Sequence, residues 1–314
     1  MQKHCFGRAV SYSEEVGMMK KNNVFWGYVM VIASAVIFGL MPLMTSVLKA
    51  DGMNSYSIVM IRNMIPLPVL AGLALLQTKS MKVPMKALPS MCLAAVMGCC
   101  ITPLLLYISY DLLKPYDGIA TVFHFVYPAF VVIGGLVFFK QKLKAGVWVS
   151  LALCIIGVCL FYDPSASVNL LGAGLALLSG LTYAVYVLIL SVFKYKQINS
   201  FLFSFYLSCV TTIVMIVYCV VTNQLVFPVS LGGWLMAVFF GLVVNVGAMV
   251  LFQKGTFLIG GQRSSILSTM EPLTSVVLVI FSAGIANIGV GTWIGSVLVI
   301  ASTVLIAVFD AKKK

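Results

Sequence analysis

Sorted into hydrophobic and polar positions, the chain is a succession of long apolar blocks at about 26–48, 55–77, 87–109, 117–139, 146–162, 169–191, 200–222, 233–257, 264–285 and 290–309. Each approaches the ~20 residues with which an α-helix crosses roughly 30 Å of hydrocarbon, and the shortest, 146–162, still fits. Everything between the blocks is short, so no sizeable soluble domain is expected. The pattern predicts an all-α integral membrane protein with ten transmembrane helices. The polar stretch before the first block reads as a tail, and that block as a retained span, because no short signal-type core precedes it. The run Met18-Met19-Lys20-Lys21 also looks like a natural beginning.

Polar residues inside these blocks are costly and usually face a bundle interior or a water-filled path. In the ninth block Ser264, Ser268, Glu271 and Ser275 recur at i, i+4, i+7 and i+11, one helical stripe. Asn245 and Gln253 share a face of the eighth helix. Tyr107 and Tyr110 follow Pro103 in the third, Tyr183 and Tyr186 follow Ser179 in the sixth, and Ser34, Pro42 and Thr45 line one side of the first.

Glu271, the carboxylate deep within a span, is expected to take part in proton coupling or amine binding, to bond a helix end structurally, or to reach the membrane surface. Lys254 is a candidate partner for it. His124 reads either as a titrating group or as a histidine bonded to a neighbouring helix. Arg62, about seven residues into the second helix, is expected to snorkel to the headgroups. Tyr107 and Tyr110 could equally be interfacial anchors. Gly134-Gly135 and Gly260-Gly261 suit close helix contact or a turn.

Composition agrees with the bilayer as solvent: 61% of residues are hydrophobic and 9% charged. Most of the 20 basic residues fall in alternate loops. Those segments hold Lys3, Arg8, Lys20 and Lys21, then Lys79, Lys82 and Lys86, then Lys140, Lys142 and Lys144, then Lys194 and Lys196, then Arg263, and finally Lys312, Lys313 and Lys314. By the positive-inside bias both termini are cytoplasmic, in a multi-pass protein of the cell membrane. The net charge of +12 is thereby accounted for by topology, and no nucleic-acid partner is expected. Seven of the 8 cysteines lie inside apolar blocks and read as packing residues. No phosphate loop or H-E-x-x-H motif is present, and His4 and His124 show no metal spacing, so no cofactor, no metal and no enzyme activity is expected.

The stretch HFVYPAFVVIGGLVFF, with His124, Tyr127 and Pro128, has a counterpart in MEPLTSVVLVIFSAGI, with Glu271 and Pro272. A similar offset brings GVWVSLALCIIGV onto GTWIGSVLVIAST, matching Trp148 to Trp293, and SAVIFG (34–39) onto SGLTYA (179–184). Each copy holds five spans, and because five is odd the second enters the membrane upside down. Inverted repeats of this kind recur in secondary transporters, with substrate near the midplane. A proline removes one backbone hydrogen bond and obstructs the carbonyl four residues back, so Pro42, Pro128 and Pro272 are read as static kinks or as hinges.

In these features the chain resembles the EamA-type members of the drug/metabolite transporter superfamily, ten-helix carriers built from two inverted five-helix repeats. The resemblance covers about 25–310 and rests on Phe38-Gly39 and Tyr183-Ala184, Arg62, Pro128 and Glu271-Pro272, and glycine-containing fifth and tenth helices. It departs from the pattern at Gln141 and Ile285, where many relatives carry Gly-Glu. The resemblance implies a tail over 1–24, repeats over 25–165 and 166–310, and a basic C-terminus over 311–314.

It also implies a secondary active transporter working by alternating access, exporting amino acids or related compounds. The expected substrate-binding residues are Tyr107, His124, Tyr127, Tyr183, Tyr186, Asn245, Gln253, Ser268 and Glu271, with Glu271 as coupling residue and Pro42, Pro128 and Pro272 as hinges. Its partners would be a small-molecule substrate and the lipid bilayer, with a homodimer left open. Few basic residues lie at depth, which disfavours multiply phosphorylated substrates. The competing reading is a non-transporting membrane interaction or regulatory protein with the same fold, and a lipid-handling protein stands behind that.

Overall fold

The computed structural model describes residues 23–113, 118–140, 145–160, 169–192, 198–274, 277 and 290–311. Among them there is no strand, and seven helices are long and apolar enough to cross a membrane. These are α1 (Asn23–Ala50), α2 (Ser55–Thr78), α3 (Met85–Leu112), α4 (Ala120–Val137), α6 (Leu170–Ser191), α7 (Ser200–Val221) and α8 (Leu231–Ile259). Two further apolar helices, α5 (Ala145–Cys159) and α10 (Val290–Ala311), pack closely on each other. The ninth block begins as α9 (Gly261–Leu267), and most of it after Thr274 lies outside the described residues. So do Ser275, Gln141, Ile285, the tail through 22, the C-terminal lysines, and Lys142, Lys144, Lys194 and Lys196, on which much of the expected orientation rests.

Lipid-soluble side chains alone do not draw helices together in a bilayer, so close backbone approach must. Small residues provide it here. A Cβ at Gly27 of α1 would come within 2.6 Å of Ile259 on α8, and one at Gly172 of α6 within 2.8 Å of Leu113 after α3. Gly157 of α5 and Gly295 of α10 lie against each other's carbonyls. Gly260 turns the chain from α8 to α9 at φ 85°, a conformation that glycine alone adopts without strain. Outward, Trp148 and Trp293 are both half-exposed, as the matching of α5 to α10 requires of a lipid-facing pair.

Several of the spans are not continuous α-helices. In α1 the chain turns at Gly39–Leu40 before restarting at Met41 with Pro42 in the first turn. The same happens in α4, at Phe125–Val126 ahead of Pro128, and α9 narrows to a 3-10 turn over Ser268–Met270 ahead of Pro272. Proline lacks an N–H, and the first helical turn is where that lack costs least. Midway along α3 and α8 the helix widens instead, into π segments over Ala95–Ile101 and Gly241–Ala248. Thr102 marks the first, its hydroxyl donating to the Met97 carbonyl five residues back at 2.7 Å. Such widenings concentrate at functional sites.

Candidate functional site

The broken and widened turns converge on one cavity. Its walls come from Phe38 and Met41 beside the α1 break, Gly98 and Thr102 at the π segment of α3, His124 before the α4 break, and Glu271 beside Pro272. Arg62 of α2, Pro103 and Leu106 of α3, Tyr183 of α6 and Met249 of α8 complete the lining. The interior volume is about 50 Å³, room for a few waters at ~10–15 Å³ each on this measure.

Two glycines make the approach possible. A Cβ at Gly39 would meet the Glu271 carbonyl at 2.6 Å, so α1 crosses α9 at the carboxylate-bearing residue. A Cβ at Gly180 would meet the His124 carbonyl at the same distance. That carbonyl is the one Pro128 leaves without its helical donor.

Glu271 is partly exposed to the cavity. Among the described residues its carboxylate has neither an ion-pair partner nor a side-chain hydrogen bond. Lys254, the expected partner, is exposed and forms no pair with it. The cavity's other formal charge is Arg62. Snorkelling, expected from the sequence, is overturned: the residue is 3% exposed. Its Nη1 donates to the Tyr107 hydroxyl at 3.0 Å, and the guanidinium lies 5.8 Å from the ring centres of both Tyr107 and Phe240. Aromatic faces and a phenol, in place of headgroups, make the buried position tenable. Tyr107, 1% exposed, is correspondingly not an interfacial anchor.

His124 follows one of the two readings the sequence left open, the bond to a neighbouring helix. Ser179 Oγ donates to the Ala176 carbonyl at 2.6 Å, so at its 2.8 Å contact with His124 the serine oxygen accepts from Nδ1–H. The histidine is therefore bonded to the neighbouring helix and leaves Nε2 as an acceptor in the cavity wall. Tyr183 stands over it in an aromatic cluster, 4.8 Å edge-on to Tyr127 and 5.9 Å stacked on Phe252.

Comparison with known proteins gives this arrangement a family. A model described as the EamA-like transporter family matches twice, over residues 25–162 and 170–308. The chain belongs to the EamA-like transporter family. It is 38% identical over 88 residues to the "Uncharacterized inner membrane transporter YicL" of Salmonella typhimurium, covering 27% of this chain and 28% of that protein. It is 23% identical to the "Uncharacterized transporter YwfM" of Bacillus subtilis and 26% identical to the "Uncharacterized transporter sll1319" of Synechocystis. Those matches cover 56% and 55% of this chain, and 59% and 53% of the relatives' lengths. A solved crystal structure shares the fold at a TM-score of 0.72 and 15% identity, over 91% of this chain and 98% of the other. The chain thus spans between about a quarter and three fifths of the length of these curated relatives, and as a family member with this many apolar helices it is a multi-pass membrane protein.

Of the nine residues singled out as substrate-binding, the EamA cavity brings His124, Tyr183 and Glu271 to its wall. The others stand behind it. Tyr127 is buried and donates to the Ser265 carbonyl at 3.2 Å. Tyr186 accepts from Gln253 Nε2 at 3.2 Å and donates to Met249 Sδ at 3.2 Å, while Ser204 donates to Gln253 Oε1 at 2.7 Å, a chain that ends on a wall residue. Asn245 donates across to Asn63 of α2 at 2.8 Å. Asn245 lies within the π segment of α8 and Gln253 in the α-helical turns after it, and both are buried. Ser268 bonds back to the Ser264 carbonyl at 2.8 Å, and the 3-10 turn breaks the serine stripe. Arg62, Thr102 and Leu106 were not in the expected set. Arg62 could have been found only as a charge inside an apolar run, since its partner Tyr107 lies far along the chain.

Proposed function

We propose that the protein is a secondary active transporter that exports amino acids or related compounds by alternating access. In this reading ten helices form two inverted five-helix repeats, 25–165 and 166–310, with both termini cytoplasmic. The repeats rock about the cavity, and the breaks at Pro42, Pro128 and Pro272 act as its hinges. Glu271 couples transport to a proton, or binds the substrate amine. One observation carries the reading: a cavity walled by both halves of the chain at their broken and widened turns, holding a carboxylate with no ion-pair partner among the described residues. The matched glycine contacts of α1–α8 and α6–α3, and the π segments midway along α3 and α8, support the two-fold layout.

The test is uptake of a pooled set of amino acids and small metabolites into proteoliposomes under an imposed pH gradient. Accumulation is expected to follow the gradient in the parent protein. It should fall by at least tenfold in a monodisperse Glu271→Gln variant. Equal gradient-driven uptake in both would remove Glu271 from coupling, and absence of uptake of every compound in the pool would count against the carrier reading itself.

A further inference from the structure

The cavity wall contains two opposite formal charges that do not meet. Arg62 has five N–H donors, and among the described residues only Nη1 finds an acceptor. Its Nε is buried with no hydrogen-bond partner, and no acceptor is assigned to Nη2. A guanidinium's Nε–Nη2 edge is the planar fork that fits a carboxylate in two parallel hydrogen bonds. A structural arginine buried this deeply normally has that edge satisfied, because an unmatched buried donor carries its full desolvation cost. Glu271 is the mirror case, an acidic group in the same wall with no ion-pair partner among the described residues. His124, which donates through Nδ1 to Ser179, adds its Nε2 edge to the same wall. The same wall carries the apolar side chains of Phe38, Met41, Leu106 and Met249.

We propose that Arg62 anchors a substrate carboxylate, and that the cavity takes a zwitterion with an apolar body whose cationic end sits at Glu271. This rests on the cavity being the carrier's binding site. A zwitterion neutralises both unpaired charges at once, whereas an anion or a cation alone leaves one of them unmatched. The narrow interior means that binding parts the methionine and leucine walls, so the ligand that satisfies both ends is the one that holds them open.

The test uses L-methionine, L-leucine and L-phenylalanine, each with its methyl ester, which lacks the carboxylate, and its N-acetyl derivative, which lacks the amine. Binding is read from thermal stabilisation of the full-length protein in detergent, and flux from counterflow in proteoliposomes. For at least one of the three, the free amino acid should bind about 10- to 100-fold more tightly than either derivative, the scale of a lost charged hydrogen bond. In Arg62→Gln the amino acid and its ester should converge while the N-acetyl derivative stays penalised. A merely structural arginine would weaken all ligands alike. Arg62→Lys keeps the charge without the fork and should narrow the gap to the ester without closing it, which decides the matter if the glutamine variant does not fold.

An ester bound as tightly as its amino acid, an undiminished preference in a well-folded variant, or stabilisation by none of the three overturns the proposal. Binding with the expected discrimination but no counterflow would sink the carrier reading and leave the anchor standing. Counterflow of all derivatives alike would do the reverse.

Discussion

At the level of single residues, what a polar side chain does is set by the donors and acceptors that other helices bring to it. Asp51, in the loop after α1, accepts from the backbone N–H groups of Val229 at 2.8 Å and Ser230 at 3.2 Å, at the start of α8. Ser230 in turn caps α8 by accepting from the Gly233 N–H at 2.9 Å. The Ser230 hydroxyl, then its N–H, holds the Asp51 carboxyl below the usual carboxylate range, with Val229 adding to it and desolvation opposing. A carboxylate whose folded pKa is depressed contributes stability above its unfolded pKa and loses it as pH falls through the folded value. Asp51→Asn should therefore lower thermal stability near neutral pH, and the gap to the parent should close as the solution is acidified below the Asp51 pKa. A gap independent of pH would mean that the charge plays no part in joining α1 to α8.

At the level of elements, the prolines and glycines do more than their local effects suggest, because the breaks ahead of Pro128 and Pro272 are each met by a glycine of another helix, Gly180 and Gly39. Gly180 and Gly174 of α6 separate the two uses. A methyl at Gly180 meets a backbone carbonyl that cannot swing away, whereas one at Gly174 meets nothing within 4 Å. Gly180→Ala should destabilise by about 1–3 kcal/mol, as overpacking does. Gly174→Ala should be neutral or stabilising by up to about 1 kcal/mol through helix propensity. Thermal unfolding of the two variants in the same detergent makes the comparison, and equal effects would contradict the close crossing.

These elements also show what the sequence could carry. Apolar blocks of span length and the Pro128–Pro272 recurrence were legible because hydrophobicity and a missing N–H are local properties. The π segments were not, since Ala95–Ile101 and Gly241–Ala248 contain ordinary helix-compatible residues. Glu271 and His124 could be singled out as costly polar groups in an apolar run. The role of Arg62 depended on Tyr107 and Phe240, distant in sequence, and so on packing alone.

For the molecule as a whole, the family match over both halves and the cavity between them lead to one central claim: the cavity is reached from either side of the membrane in turn. The cysteines make this testable, because the described ones are all free and can be replaced without breaking a disulfide among them. In a background with all 8 cysteines substituted, a single Leu106→Cys places a thiol in the cavity wall. A membrane-impermeant maleimide is then applied to right-side-out and to inside-out vesicles. The account expects labelling from both sides, and opposite changes in the two labelling rates when a saturating substrate is present on one side. Labelling from one side alone, whatever ligand is supplied, would contradict it.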